Sequence, residues 1–501
     1  MTCSYNLRPY QVEAVKQINT HWTEWDRELL VLPTGCGKTV VFNTIANQRR
    51  GNTLILAHRD ELIEQARDKY EAMFGEPTGK IKANENMILP VTVGSIQTMF
   101  RRQYDSNQFQ TIIVDEAHHS ISDSYQKLLC QFPRSKVLGV TATPDRGDKQ
   151  TLAEYYDGIA YEYSLRTAIQ EGYLCEIAAQ TVPLEIDMSE TKVSIGDFQV
   201  DSIGETLEPY LPQIAEAIQE YAANRKTVVF CPLISIAQEL ADMIPGAREV
   251  NGGSPDRKET LLWFDQAGPG AVLCNAMLLT EGWDCPSCDC VVVLRPTKIR
   301  SLYTQMIGRG TRLFPGKKNL LILDFLWLSE KHNLCRPASL VSENEEDIRT
   351  VTGESEKGEI DLLGAASDAE SARRNALAEA LARQRKKKSK LVNPLELFDI
   401  LNDIGLADYE PVFKWEEAEA TKRQIDALGR FGIDAEGISK GYACAILDRM
   451  IDRARENKAS VKQIKTLRKF GYDPTEWTFD QASKKMSQLA AVGWKRWRLH
   501  D

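Results

Sequence analysis

At 501 residues the chain is too long for a single hydrophobic core and suits about three domains. A net charge of −9 excludes a protein that coats nucleic acid through overall charge, although it leaves room for a locally basic groove. No apolar run approaches the ~20 residues of a membrane span. The N-terminal MTCSYNLRPYQ lacks the basic and apolar regions of a secretory signal, and eleven cysteines in that setting suit reduced thiols in the cytoplasm.

The first informative stretch is LRPYQ, where the Gln11 amide can make a donor–acceptor pair with an adenine edge. VLPTGCGKTVV (31–41) then reads strand, glycine loop, helix. Pro33 and Thr34 stand where the usual phosphate-loop pattern has its first glycine, so the match is P-T-G-x-G-K-T. Gly35 and Gly37 let backbone N–H groups turn inward around Cys36, and the following helix N-terminus favours negative charge. Lys38 is expected to neutralise the β- and γ-phosphates, and the Thr39 hydroxyl to ligate Mg²⁺.

Up to about residue 335, short β-branched runs (TLILA, TIIVDE, KVLGVTA, KTVVFCP, GAVLCN, CVVVLRP, NLLILDF) alternate with amphipathic stretches such as ELIEQARDKYEAMF. Such runs read as buried strands of parallel sheets with helical crossovers, enough for two α/β domains with a break near 165–205. In IIVDEAHHSI (112–121), Asp115 ends a strand and is placed to hold Mg²⁺ through its water shell. Glu116 would orient and deprotonate the attacking water. A zinc site is disfavoured because no H-E-x-x-H and no matching third ligand appears. His118 reads as a coupling residue towards the second domain, and His119 as a solvent-facing polar residue.

The acidic stretch 341–362 has few apolar residues and reads as a mobile linker. The Ala-rich helix after it ends in RQRKKKSK, read as a solvated helix end, with a nucleic-acid contact as the sharper alternative. Thr421, Gln424, Ile425, Leu428, Phe431 and Gly432 recur 39 residues later as Ser460, Gln463, Ile464, Leu467, Phe470 and Gly471. Each copy opens with a capping box and stops at a glycine, which predicts two helical hairpins packed face to face. The second copy carries Lys462, Lys465, Arg468, Lys469, Lys484 and Lys485, followed by Trp494, Lys495, Arg496, Trp497 and Arg498. Basic and aromatic residues so interleaved can grip a nucleic-acid strand. A docking module for a protein partner stays open.

Over residues 5–328 the combined motifs resemble the superfamily-two DExH/DEAH-box helicases. The likeness is to the group of type III restriction helicase subunits, excision-repair translocases and the mitochondrial branch-migration helicase. The resemblance implies an α/β fold of two tandem RecA-like parallel-sheet domains that sandwich ATP and bind one nucleic-acid strand. A linker and a small all-α domain of two helical-hairpin repeats would follow. The implied boundaries are 1–165, 166–335, 336–395 and 396–501. LRPYQ looks like the adenine-reading motif, PTGCGKT like motif I and DEAH (115–118) like motif II. AHRDELIEQA (57–66) and VGSIQT (93–98) look like motifs Ia and Ib, which puts Arg59, Gln97 and Thr98 on the strand. TATP (141–144) is similar to motif III, where Thr141 and Thr143 link hydrolysis to domain closure.

In the second domain LLTEGWDCP (278–286) resembles motif V, with Gly282 and Asp284 towards the nucleotide and Thr280 towards the strand. YTQMIGRGTR (303–312) resembles motif VI. There Gln305 contacts neighbouring motifs, while Arg309 and Arg312 reach across to the γ-phosphate. The cysteines of CPSCDC (285–290) read as buried reduced thiols rather than zinc ligands. The interval from Arg295 to Gln305 leaves no room for a strand-separating hairpin, so translocation or remodelling stays open beside unwinding. TATP favours DNA over RNA. The resulting expectation is an ATP- and Mg²⁺-dependent DNA helicase or translocase. The rivals are the motor subunit of a restriction or defence complex, and a nucleotide-switched clamp with little turnover.

Overall fold

The computed structural model describes residues 6–142, 152–188, 191–194, 197–276, 279, 283, 285–328, 334–384, 394 and 397–491. They form two compact units, 1–367 and 368–501.

The first unit holds two sheets. The first contains β1 (Arg27–Val31), β2 (Thr53–Ala57), β3 (Gly79–Lys82), β4 (Glu85–Met87), β5 (Val91–Ser95), β6 (Thr111–Asp115), β7 (Lys136–Thr141) and β8 (Gly158–Glu162). Their order is β4-β3-β5-β2-β6-β7-β1-β8, and only the β3–β4 pair is antiparallel. The second contains β9 (Ile177–Asp187), β12 (Thr227–Cys231), β13 (Arg248–Val250), β14 (Val272–Ala276), β15 (Cys290–Val293), β16 (Leu320–Leu328) and β17 (Ile360–Asp361). Its order is β13-β14-β12-β15-β16-β9-β17. A two-residue hairpin of β10 (Val193–Ser194) and β11 (Asp197–Phe198) stands apart.

All seven β-branched runs read from the sequence are strands. Central strands such as β2, β5, β6 and β12 are buried at every position. A parallel sheet covered on both faces requires this of continuous apolar runs. Each sheet has its own core: Leu54, Leu56, Ile112, Val114 and Val137 among others in the first, Val229, Cys231, Cys274, Val292 and Leu323 in the second.

The acidic stretch 341–362 differs from the expected linker. It folds as a helix, Glu345–Ser355, and then as β17, which pairs antiparallel with β9. The Asn344 side chain accepts from Glu346 N and Asp347 N, so the acidic residues lie in the first helical turn, where the helix dipole favours them. Val351 and Ser355 are buried, and the Ser355 hydroxyl meets that of Thr181 at 2.7 Å. Low hydropathy here marks a helix N-terminus with one buried face. The basic run 385–390 lies outside the described residues.

In the second unit both expected hairpins form, as helices Lys422–Arg430 with Lys440–Arg455 and Val461–Arg468 with Phe479–Ala491. Both capping boxes are made, Thr421 with Gln424 and Ser460 with Gln463. Gly432 and Gly471 take φ of 82° and 85°, the left-handed geometry of a C′ glycine. One core joins the copies, including Leu428, Ile446, Met450, Ile464, Leu467 and Leu489. Of the basic face, Arg468 is consumed internally: it donates to Asp399 O at 2.7 Å and Thr475 Oγ1 at 3.0 Å. Lys485 sits over the Tyr472 ring. Lys462, Lys469 and Lys484 are exposed. Residues 494–498 lie outside the described residues.

Candidate nucleotide site in the seam between the two sheets

The loop after β1 is shaped by two left-handed glycines, Gly35 at φ 91° and Gly37 at φ 78°, and Gly37 caps the helix Lys38–Gln48. Gly37 is also fixed by proximity, since a Cβ there would stand 2.6 Å from Gln11 Nε2. Gln11 is 4% exposed. Its Nε2 donates to Cys36 O at 3.1 Å and its Oε1 accepts from Arg8 N at 3.0 Å. The amide therefore ties the loop, through Cys36 O, to the N-cap of its own helix. Burial pushes the Cys36 thiol up to about 11, which keeps it neutral.

Beside the loop lies an aromatic brace that sequence reasoning missed. Tyr10 stacks on Tyr163 at 4.4 Å, meets Tyr173 edge-on at 4.9 Å, and donates from its hydroxyl to Cys36 O at 2.9 Å. Its one sequence signal is the aromatic residue next to Gln11. Its partners lie some 150 positions away and are brought in by the fold.

Lys38 Nζ lies 3.2 Å from Glu116 Oε1, with side-chain exposures of 12% and 10%. Glu116 has φ 52°, rare for a residue with a side chain and costing on the order of 1–2 kcal/mol. The turn follows β6 directly, and Glu116 N donates to Asp115 Oδ1 at 3.0 Å. Both carboxylates are buried. Burial, then the charge of Glu116, pushes Asp115 up, against the pull of Lys38. Burial alone would raise Glu116 too, but Lys38, His118 and Arg309 more than offset it and hold it low.

His118 Nδ1 is 3.6 Å from Glu116 Oε2. His119 is half-buried rather than solvent-facing. Its ring lies 4.1 Å from that of His118 and edge-on to that of His58 at 4.2 Å. Thr141, at the end of β7, is buried and accepts from Leu32 N at 3.1 Å, which ties it to the strand feeding the loop.

The second sheet closes the seam. The helix Arg300–Gly308 follows β15 and buries Gln305. Its last residue abuts the phosphate loop, and a Cβ on Gly308 would fall 2.5 Å from Thr34 Cβ. Arg312 crosses the loop as well, its Cγ 3.3 Å from where a Gly35 Cβ would stand. Burial lowers the Arg312 pKa. Arg309 donates to Trp283 O at 3.0 Å, and its charge is among those that hold Glu116 low. Lys38, Asp115 and Glu116 thus share one seam with Arg309 and Arg312.

Other expected residues behave differently. Gln97 bridges two loops, with Nε2 donating to His58 O at 2.6 Å and Oε1 accepting from Ser95 Oγ at 2.7 Å. Thr98 Oγ1 accepts from Ala83 N at 3.0 Å, and Arg59 caps the helix Asp60–Phe74. Thr143, Thr280, Gly282 and Asp284 lie outside the described residues. Cys285, Cys288 and Cys290 are buried free thiols. Burial pushes Cys288 up to about 12, against the thiolate form a metal needs. Among the described residues no cluster of metal-binding side chains appears.

Residues 4–146 match the family model of the type III restriction enzyme res subunit, and residues 210–313 that of the helicase conserved C-terminal domain. The two matches fall on the two sheets that form the seam. The chain belongs to the superfamily-two helicases. It is 31% identical over 392 residues to the putative ATP-dependent helicase IRC3 of Saccharomyces cerevisiae, covering 70% of this chain and 57% of the yeast protein. The chain therefore spans little more than half the length of that relative. It is 24% identical over 361 residues to the DNA 3'-5' translocase XPB2 of Sulfurisphaera tokodaii, covering 63% of this chain and 80% of the archaeal one. A solved fragment of a putative HsdR subunit of a type I restriction enzyme from Vibrio vulnificus YJ016 shares the fold. Its TM-score is 0.51 at 24% identity, over 65% of each chain. Two parallel-dominated sheets with flanking helices carry the motifs in this chain.

Proposed function

We propose that the chain is an ATP-dependent DNA helicase or translocase that couples ATP hydrolysis to movement on duplex, forked or branched DNA. The observation that carries the reading is the seam: a lysine paired with a strained, buried glutamate on one sheet, and two arginines on the other. In this reading residues 1–165 form the nucleotide-binding lobe, 166–335 the second lobe and 396–501 the repeat module. Lys38 leaves Glu116 to take the β- and γ-phosphates, and backbone N–H groups of 34–39 hold the rest of the chain of phosphates. Glu116, held ionised, accepts the proton of the attacking water. Arg309 and Arg312 stabilise charge on the γ-phosphate oxygens when the lobes close, and Gln305, His118, Thr141 and Thr143 relay closure between the lobes. Gln11, Gly282 and Asp284 bind the nucleoside side.

The oxygen donors Thr39 and Asp115 fit Mg²⁺, and a cation there would offset the repulsion by which burial and the Glu116 carboxylate push Asp115 up. The ion would supply charge compensation at the β- and γ-phosphates. Arg59, Gln97, Thr98 and Thr280 are assigned to the DNA strand. The free thiols suit a cytoplasmic setting, and among the described residues no helix is long and apolar enough to cross a membrane.

The test is the ATPase rate with single-stranded DNA, duplex DNA, forked DNA and RNA side by side. Stimulation of about tenfold or more by DNA and little by RNA is expected. A rate indifferent to every polymer would refute the motor. For the repeat module, removal of 396–501 should weaken binding to forked DNA more than basal hydrolysis. Equal loss of both would make the module a brace or a protein-docking element. The match of 4–146 to a restriction res subunit also favours a second reading, a motor within a restriction complex, which co-purification with a nuclease or methyltransferase would support.

A further inference from the structure

A cavity of about 200 Å³ opens in the first lobe, away from the phosphate loop, with His58, Gln97, Phe100, His119, Ser122 and Tyr125 in its wall. The fold explains its position. His58 follows the C-terminal end of β2, Gln97 and Phe100 follow that of β5, and His119 follows that of β6. β5, β2 and β6 are adjacent in the sheet, whereas the phosphate loop leaves β1 two strands beyond β6. The carboxyl ends of parallel strands are where open α/β sheets take ligands.

The lining specifies the ligand class. The lining residues include no lysine, arginine, aspartate or glutamate, and the nearest cation named against them is the Arg101 guanidinium, 5.2 Å from the Phe100 ring centroid. It presents the rings of Phe100, His58, His119 and Tyr125 together with two serine hydroxyls and an amide. Aromatic faces with neutral hydrogen-bonding groups at the margin are what a heteroaromatic base requires. The volume lies under the ~300 Å³ at which pockets begin to hold drug-sized ligands, which suits one ring system rather than a whole nucleotide. Gln97 is held in place through His58 O and Ser95 Oγ, so this wall is preformed.

The wall is also continuous with the catalytic turn. His119 contacts His58 on the cavity side and His118 on the other, and His118 reaches Glu116.

We propose that this cavity receives a single unstacked nucleobase of the bound DNA strand, stacked against Phe100 and His119. The proposal rests on the reading of the chain as a DNA motor and names a contact to base rather than to backbone. Movement along the strand would then pass one base at a time through a pocket whose wall is linked through His118 to Glu116.

The test uses the full chain and two strands of equal length, oligothymidylate and its abasic counterpart, which share a flexible phosphodiester backbone. The concentration of each that half-maximally stimulates ATP hydrolysis is measured for the wild type and for Phe100→Leu, which keeps apolar bulk without the ring. For the wild type the abasic strand should require about tenfold more than oligothymidylate, within the range of one base–aromatic stack. Phe100→Leu should raise the oligothymidylate figure by about tenfold and leave the abasic figure within twofold. Equal half-saturation of the wild type by both strands would overturn the pocket while leaving the DNA motor standing. So would a variant that weakens both strands alike. Failure of both strands to stimulate the wild type would overturn the motor reading and the pocket with it.

Discussion

Replacing Glu116 by glutamine separates binding from chemistry in this site. Lys38 and Glu116 stand 3.2 Å apart and are nearly buried. Two unit charges at that distance attract by about 5 kcal/mol at an effective dielectric of 20. The desolvation of both offsets most of it, leaving on the order of 1 kcal/mol. In the proposed reading ATP breaks this pair to recruit Lys38, so Glu116→Gln removes a competitor and should tighten ATP binding by up to about fivefold. The same substitution deletes the proposed proton acceptor, which should cost roughly 10²- to 10⁴-fold in kcat, or about 3–5 kcal/mol of barrier. Glutamine is isosteric and meets the left-handed backbone at 116 no worse than glutamate, so the thermal midpoint should stay close to that of the wild type. Equilibrium binding of a non-hydrolysable ATP analogue and DNA-stimulated phosphate release would be measured on one preparation. Hydrolysis within threefold of wild type would refute the role of Glu116. A tenfold loss of affinity for the analogue would refute the competition between glutamate and nucleotide for Lys38.

Two further substitutions probe other parts of the account. Gly308→Ala puts a methyl group 2.5 Å from Thr34 Cβ, across the seam. Closure should be blocked, with kcat falling on the order of 10²-fold, as for a misplacement of about 1 Å. Unchanged turnover would show that the seam closes elsewhere. Glu28 in β1 is fully buried with both carboxylate oxygens unbonded, and burial, against Lys136 and Arg49, pushes it up to about 8. The folded protein therefore keeps a proton that the unfolded chain releases above its ordinary value of 4.5. This contribution to stability is complete below pH 4.5 and is lost as pH rises to about 8. Glu28→Gln should stabilise the folded protein at pH 8, relative to the wild type, by up to about 4 kcal/mol and so raise its thermal midpoint there, with little effect near pH 4.5. The opposite pH trend in calorimetry would refute the assignment.

The sequence carried the fold where residue type alone dictates geometry. Continuous β-branched runs such as TIIVD and TVVFC have no stable home except a covered parallel strand, and all became one. Gly35, Gly37, Gly432 and Gly471 marked left-handed turns for the same reason. Features made by distant contacts left no local mark. Nothing around Glu116 announces its positive φ, and nothing in 163–173 announces a brace behind the phosphate loop. Gly308 looked like one more glycine of a motif, and only the opposing Thr34 shows why a side chain is excluded. The acidic stretch misled because glutamates in a first helical turn and glutamates in a linker give the same composition. His119 misled because the ring facing it, His58, lies on another strand's loop.

In the proposed function, phosphate chemistry needs groups from both sheets at once. Arg309→Ala tests it most directly, measured at saturating DNA as kcat for ATP hydrolysis together with the Kd of a non-hydrolysable ATP analogue. The kcat should fall on the order of 10³-fold, with Kd within about fivefold of wild type. Hydrolysis within twofold of wild type would contradict it.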